Sequence, residues 1–364
     1  LRKKALNWID DFKSPEISQK ILSQIKKFDF PYTFMEVCGT HTVSILKSGI
    51  RSLLPKNIKH ISGPGCPVCV TSQGDCDLAV EAASIPNVCI TTFGDMLKVP
   101  GSKSNLAQAR SEGKHVEIVY GPLDALNYAV QNPKVQVIFL GIGFETTAPT
   151  VAATIKKAKE KNINNFSVLS FHKVIPPALD ALLSTNPKID GFIYPGHVST
   201  VIGINPYKEV LKKFNKGGVI AGFEPVDILS AVLELLKMKQ TNQPNVINNY
   251  SRAVRDEGNI NAIRFIDEVF KVEDAEWRGM GTIPNSGLGL KDEYKDFCAK
   301  TKFGLKSKKS SDPPGCRCGE VLQGLIEPYQ CPLFGKACTP IKPVGPCMVS
   351  SEGSCAAHYK YGKV

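Results

Sequence analysis

Twelve cysteines are spread very unevenly along this chain of 364 residues. Five lie before residue 90, seven after residue 297, and none between. A thiolate is both a nucleophile and a soft metal ligand, so dense cysteine groups point to metal or redox chemistry. Cys66 and Cys69, in GPGCPVC at residues 63–69, are two residues apart. That spacing closes a disulfide or clasps a metal such as iron, and the intervening Pro67 stiffens the turn. A structural zinc needs a second pair nearby, and Cys76 and Cys89 do not supply it; both read as structural positions in a helix and a strand. Cys38, in CGTH at residues 38–41, stands just ahead of a helix-period segment. The helix dipole and free N–H groups favour a thiolate there, as would a protonated His41. The plainer alternative for this pair is a buried cysteine beside a satisfied histidine.

The tail carries Cys316 and Cys318 as CRC, then Cys331, Cys338, Cys347 and Cys355, with Cys298 standing apart. Four ligating thiolates and two spare ones fit a [4Fe–4S] cluster with an adjacent thiol pair. Zinc more often uses two close Cys-x-x-Cys pairs, which the tail lacks, and a third option is disulfides alone. From Ser307 onward the chain is rich in Gly, Pro and Cys and poor in apolar residues, so it needs a staple to hold a shape.

The elements that position these groups recur between residues 30 and 240. A short β-branched or aromatic run leads into a Gly- or Pro-containing turn and then a helix-period segment: YTFMEV, HIS, NVCITTF, HVEIVY, VQVIFLGIG, FSVLSFH, GFIYPGH and GVIAGF each begin one unit. Such alternation predicts α/β architecture with parallel sheets covered by helices on both faces. We expect two doubly wound, Rossmann-like domains over residues 29–130 and 131–240, with a break near 128–135, and the family resemblance set out below implies that they face a cleft; a single barrel is the alternative. Residues 241–364 form a small Cys-rich C-terminal domain that includes a helix over 260–272. A helix within residues 1–28, over 15–28, is expected to pack on it.

In open parallel sheets ligands bind at the carboxyl ends of the strands. Cys38, Thr40 and His41 follow the first strand, Cys66 and Cys69 the second, and Asp95 the third. Glu145, Thr146 and Thr147 follow the fifth, His172 the sixth, and His197 and Glu224 the last two. That coincidence predicts a single functional cleft. The Thr pair can cap a helix, and a Gly-rich turn can cradle phosphate, but GIGFETT lacks the full dinucleotide fingerprint.

Composition sets the remaining bounds. The chain is 42% hydrophobic and 22% charged, as for an ordinary globular protein, and carries a formal charge of +11. Its lysines are scattered, without the basic stripe and interleaved aromatics of a nucleic-acid binder, so an acidic protein partner is the better expectation. No run of ~18 apolar residues exists to span a bilayer. Residues 1–14 lack the apolar block of a secretory signal, and a cytoplasmic location follows. Reducing conditions there argue against structural disulfides.

The blocks CGTH (38–41), GPGCPVC (63–69), GFETTAP (143–149) and PGHVS (195–199) together resemble the HypD family. So does the tail from CRCGEVL through EPYQCPLFGKACTP to GPCMVSSEGSCAA. The resemblance covers essentially the whole chain. It implies a role in assembling the Fe(CN)2(CO) moiety of [NiFe] hydrogenases, as a metallocofactor-assembly scaffold with redox activity rather than a conventional enzyme. It implies a HypC-type chaperone sharing the iron and a HypE-type protein supplying cyanide, with the chain a monomer inside that complex. Cys38 would anchor the transient iron carrying CN and CO, with His41 beside it, and Cys66 and Cys69 would be the redox pair of the cleft. By similarity to ferredoxin:thioredoxin reductase, Cys316, Cys331, Cys338 and Cys347 would ligate the cluster, and Cys318 and Cys355 would form the neighbouring disulfide. The competing expectation is an iron–sulfur thiol–disulfide oxidoreductase acting on a protein partner; a zinc-stapled structural protein is a second.

Overall fold

The computed structural model describes residues 11–185, 188–308 and 310–362. Nine short strands form two open parallel sheets. The first sheet contains β1 (Tyr32–Glu36), β2 (Ile58–Ser62), β7 (Gly191–Pro195), β8 (Gly218–Ala221) and β9 (Val246–Asn248), in the order β2-β1-β7-β8-β9. The second contains β3 (Val88–Thr92), β4 (His115–Ile118), β5 (Gln136–Gly141) and β6 (Phe166–Ser170), in the order β4-β3-β5-β6. Strands such as β5 are apolar almost throughout because helices cover both faces, which is why they read as continuous runs rather than alternating ones. Local signals start the helices. The Ser72 hydroxyl accepts the Asp75 N–H, Asn105 accepts that of Gln108, and prolines occupy the first turns of Pro122–Gln131 and Pro225–Thr241.

The α/β class and the two doubly wound sheets are as expected, and the closed barrel is not. The break at 128–135 does not divide the sheets, however. Strand β3 pairs with both β4 and β5, so this stretch lies inside the second sheet, while β1 pairs with both β2 and β7. The first sheet is built from both ends of the 30–250 region, with the second inserted between. A parallel strand carries no local mark of the sheet it joins, because pairing is decided by long-range packing.

The N-terminal helix, Pro15–Ile25, buries Leu22 and Ile25 against the helix Pro225–Thr241, and the Val226 N–H donates to the Phe12 carbonyl. The expectation that it packs on the Cys-rich region is thereby corrected: its apolar stripe finds the long helix covering the first sheet. The expected helix 260–272 ends at Val269. At Phe270 the chain enters β10 (Phe270–Trp277), which turns through residues 278–280 into β11 (Gly281–Leu290) as an antiparallel hairpin. The tail does not build a core of its own. Cys318, Val321, Leu322, Cys347, Met348 and Cys355 belong to the same buried cluster as Val37, Ile61, Ile90 and Leu140 of the strands. No helix among the described residues is long and apolar enough to cross a membrane.

Candidate functional site

Adjacent pairing of β1 and β2 places their carboxyl-terminal loops side by side, and with them CGTH and GPGCPVC. The Gly39 N–H donates to the Gly65 carbonyl at 3.1 Å. A β-carbon on Gly65 would lie 2.2 Å from the Cys38 amide nitrogen, so only glycine lets these loops touch. Cys38 and Cys66 each stand immediately before a helix, Gly39–Lys47 and Pro67–Val70 respectively, and Cys66 Sγ accepts the Cys69 N–H at 3.3 Å. The tail closes over them. Cys347 Sγ lies 2.8 Å from Cys318 Sγ and also interacts with the side chains of Cys69 and Cys355. Cys69 Sγ itself faces the Pro346 carbonyl at 3.9 Å. Cys66, Cys69, Cys347 and Cys318 therefore form a continuous row of buried sulfurs, and the loop that carries Cys66 touches the Cys38 backbone.

Burial governs the ionisation of this region. It pushes the Cys38 thiol up to about 12, in spite of the His41 and Thr40 amides nearby and helped by the negative charges of Glu352 and Glu36. Burial also lowers the His41 pKa, and its Nε2–H donates to the Gly222 carbonyl at 2.9 Å. His41 is thus a neutral imidazole anchored to the loop after β8, and it does not supply the positive charge expected beside the thiolate. Its Nδ1 has no hydrogen-bond partner. Phe223 lies between the rings of His41 and His197, with centroids 4.7 and 4.2 Å away, which brings PGHVS to the same place. Cys69 departs in the other direction from Cys38: burial opposes ionisation, but hydrogen bonds from Cys347 and Cys66 outweigh it and lower its pKa.

Two functional carboxylates escaped the sequence reading. Glu36, fully buried at the end of β1, accepts the Cys38 N–H at 3.0 Å and the Thr42 hydroxyl, fixing the loop that carries Cys38. Its signal was a charge ending the apolar run YTFME. Glu352, between Cys347 and Cys355, accepts the Thr40 hydroxyl at 2.7 Å, and its charge reaches Cys38, Cys69 and His197. Nothing local distinguished it from any tail glutamate.

Other expected residues are distributed. Asp95 lines a groove of about 790 Å³ together with Thr40, Glu352, Tyr359 and Lys360, so the third strand's loop reaches the cleft mouth. Glu224 forms a reciprocal cap with Asp227 at the start of Pro225–Thr241 and faces Lys13, a structural role. Thr147 precedes Ala148–Glu160 but does not cap it through its side chain; its hydroxyl instead donates to the Phe144 carbonyl. His172 is packed against Phe270 of the hairpin, with Nδ1 3.0 Å from the Ser170 hydroxyl; these contacts hold it under β10 and β11. Glu145 is buried, accepts the Ile175 N–H at 2.9 Å through Oε1, and has no partner for Oε2.

Burial raises the Glu145 carboxyl from 4.5 to about 7. Between those values the folded chain holds a proton that the unfolded chain has released, so this group's contribution to stability falls as pH rises through the window. A Glu145→Gln variant should match the wild type near pH 4 and become the more stable of the two above pH 7. Denaturant midpoints measured from pH 4 to 8 check this, and a constant gap across the range would refute it.

Thiolates are the ligand chemistry an iron–sulfur cluster takes, and several tail sulfurs lie near one another. Cys316 lies within electrostatic reach of Cys318, Cys331 and Cys355, and Cys355 within reach of Cys318 and Cys338. Among the described residues no three His, Cys, Asp or Glu side chains converge on one point as a single ion requires. A cubane makes a different demand, because its four thiolates are spread around a body several ångströms across.

As a class, this is a two-sheet α/β protein whose strand-end thiols and cysteine-rich tail come together in one buried row. The chain belongs to the HypD family of hydrogenase maturation factors: residues 14–362 match the family model described as HypD, hydrogenase formation hypA family. It is 43% identical to the hydrogenase maturation factor HypD of Escherichia coli strain K12, over 98% of each chain. It is 42% identical to the maturation factor HypD2 of Bradyrhizobium diazoefficiens, over 98% of this chain and 97% of that one. To HypD of Cupriavidus necator it is 40% identical, over 98% of each.

Proposed function

We propose that this maturation factor is the cytoplasmic thiol scaffold on which the Fe(CN)2(CO) moiety of [NiFe] hydrogenases is assembled. The iron is cargo, anchored by Cys38 and shared with a HypC-type chaperone, while a HypE-type protein delivers cyanide. The observation that carries this reading is the sulfur row from Cys66 through Cys69 and Cys347 to Cys318, whose first loop touches the Cys38 backbone. A [4Fe–4S] cluster held by the tail would supply electrons one at a time.

The same geometry revises the division of the tail cysteines. Cys318 sits against Cys347, so these two are the better dithiol, leaving Cys316, Cys331, Cys338 and Cys355 as ligands in place of the set containing Cys347. The chain's own residues then exchange electrons in balanced steps. The Cys347 sulfur attacks Cys69 of a Cys66–Cys69 disulfide, and the proton it gives up passes to the departing Cys66. Cys318 then attacks Cys347, releasing Cys69, so that Cys318–Cys347 is oxidised and Cys66–Cys69 reduced. The buried setting keeps water from the iron complex.

The test uses protein purified without oxygen after co-expression with its HypC-type partner. Infrared bands of iron-bound CO and cyanide, with more iron than one cluster accounts for, are the expected result. Cluster iron alone, with no such bands, would leave the thiol–disulfide oxidoreductase as the function.

A further inference from the structure

The tip of the β10–β11 hairpin is wedged between the two elements that carry the sulfur row. On one side Trp277 bridges Thr71, and the Arg278 N–H donates to the Val70 carbonyl at 3.0 Å, directly after Cys69. On the other side Gly279 abuts Gly319, next to Cys318; a β-carbon on Gly279 would lie 2.1 Å from the Gly319 α-carbon. The Gln323 side chain donates to the Gly279 carbonyl at 2.8 Å. The Arg278 side chain is wholly buried in this wedge. Its Nε–H donates to the Thr71 carbonyl at 3.0 Å and its guanidinium to Gln73 Oε1 at 2.8 Å and to Asp312, while a remaining N–H faces Cys76 Sγ at 3.7 Å.

We propose that Arg278 is a positioning residue for the thiol relay, a fixed buried cation whose charge favours the reduced state of the Cys66–Cys69 couple. The inference rests on the relay described above. Opening the disulfide consumes two electrons and one proton, giving a Cys66 thiol and negative charge on the Cys69 sulfur. The electrons come from the Cys318–Cys347 dithiol, or from dithiothreitol in a test. The charge of Arg278 reaches both Cys69 and Cys318. Inside a low-dielectric wedge, a cation at that place stabilises the developing anion far more than it would in water. Asp312, on the solvent side of the guanidinium, offsets part of the charge. The pair therefore acts on the couple with opposite signs, which a merely structural bracket cannot do.

The experiment equilibrates full-length, cluster-loaded protein in buffers of graded reduced and oxidised dithiothreitol. It then traps the thiols and quantifies the Cys66–Cys69 peptide by mass spectrometry. Arg278→Gln should lower the equilibrium constant for reduction about tenfold, a shift of about 30 mV to more negative potential. Asp312→Asn should shift it the other way by severalfold, and Arg278→Lys should stay near the wild type. Cluster absorbance reports that each variant is folded. If Arg278→Gln does not accumulate folded, the sign of the Asp312→Asn shift decides alone. Unchanged potentials in a wild-type background that titrates, or shifts of one sign in both variants, would overturn the role of Arg278 and leave the relay standing. A wild type with no titrating couple would remove the relay itself, and this inference with it.

Discussion

Cys38→Ala protein, isolated without oxygen together with its HypC-type partner, is expected to lose the infrared bands of iron-bound CO and cyanide and to keep its cluster absorbance. Cys38 stands against the loop that opens the sulfur row, with its thiol forced up to about 12 by burial, so the free protein carries it protonated. On the proposed scaffold reading, iron would displace that proton on binding, which would tie retention of the complex to this one sulfur. Removing a small buried thiol costs about 1 kcal/mol of stability. The loop conformation is fixed from elsewhere, since Glu36 accepts the Cys38 main-chain N–H and needs nothing from its side chain. Loss of cargo should therefore occur in a folded protein. Bands of wild-type intensity in the variant would take Cys38 out of its role.

Gly65→Ala should be among the most damaging single methyl additions near the site. The new β-carbon would lie 2.2, 2.3 and 2.5 Å from the amide nitrogen, α-carbon and carbonyl carbon of Cys38. All three are backbone atoms, so no side chain can swing aside, and the CPVC loop must part from CGTH. Overpacking of this kind costs about 3 kcal/mol, in addition to the hydrogen bond from Gly39 to Gly65. We expect a clear fall in the thermal midpoint and loss of the iron-bound infrared bands. Cluster absorbance should persist in the fraction that folds, because the cysteines proposed as cluster ligands lie on other segments. A variant with wild-type stability and cargo would show that the two loops need not touch.

The sequence made the strand-to-helix turns legible because each is marked twice, by an apolar run and by the Gly or Pro that ends it. CGTH, GPGCPVC and PGHVS therefore fell at strand ends as read; the first two loops touch through Gly39 and Gly65, and Phe223 links the rings of His41 and His197. Which strands share a sheet was not legible, since VQVIFL and GFIYP carry the same pattern and lie in different sheets. The hairpin was missed for a local reason. FKVEDAEW alternates with charges on its exposed side, and TIPNSG carries the residues of a turn although it sits within β11. His172 misled because the end of a strand also borders its covering elements; β10 and β11 occupy the space where a ligand was expected. The proximity of Cys318 and Cys347 was not legible either, because spacing alone does not say which sulfur faces which and folding brings these two together.

The interleaving of the two sheets also sets a timetable for synthesis. The Thr33 N–H is satisfied by the Asp190 carboxylate, 157 residues further on, and β1 remains an unprotected edge until β7 arrives. At translation rates of 5–20 residues per second the nascent chain waits roughly ten seconds or longer before that partner emerges. The inserted sheet is contiguous in sequence and can form during the wait, whereas CGTH and GPGCPVC cannot settle against the loops that follow β7 and β8. The loops that bring these cysteines together therefore come into register only after most of the protein has been made.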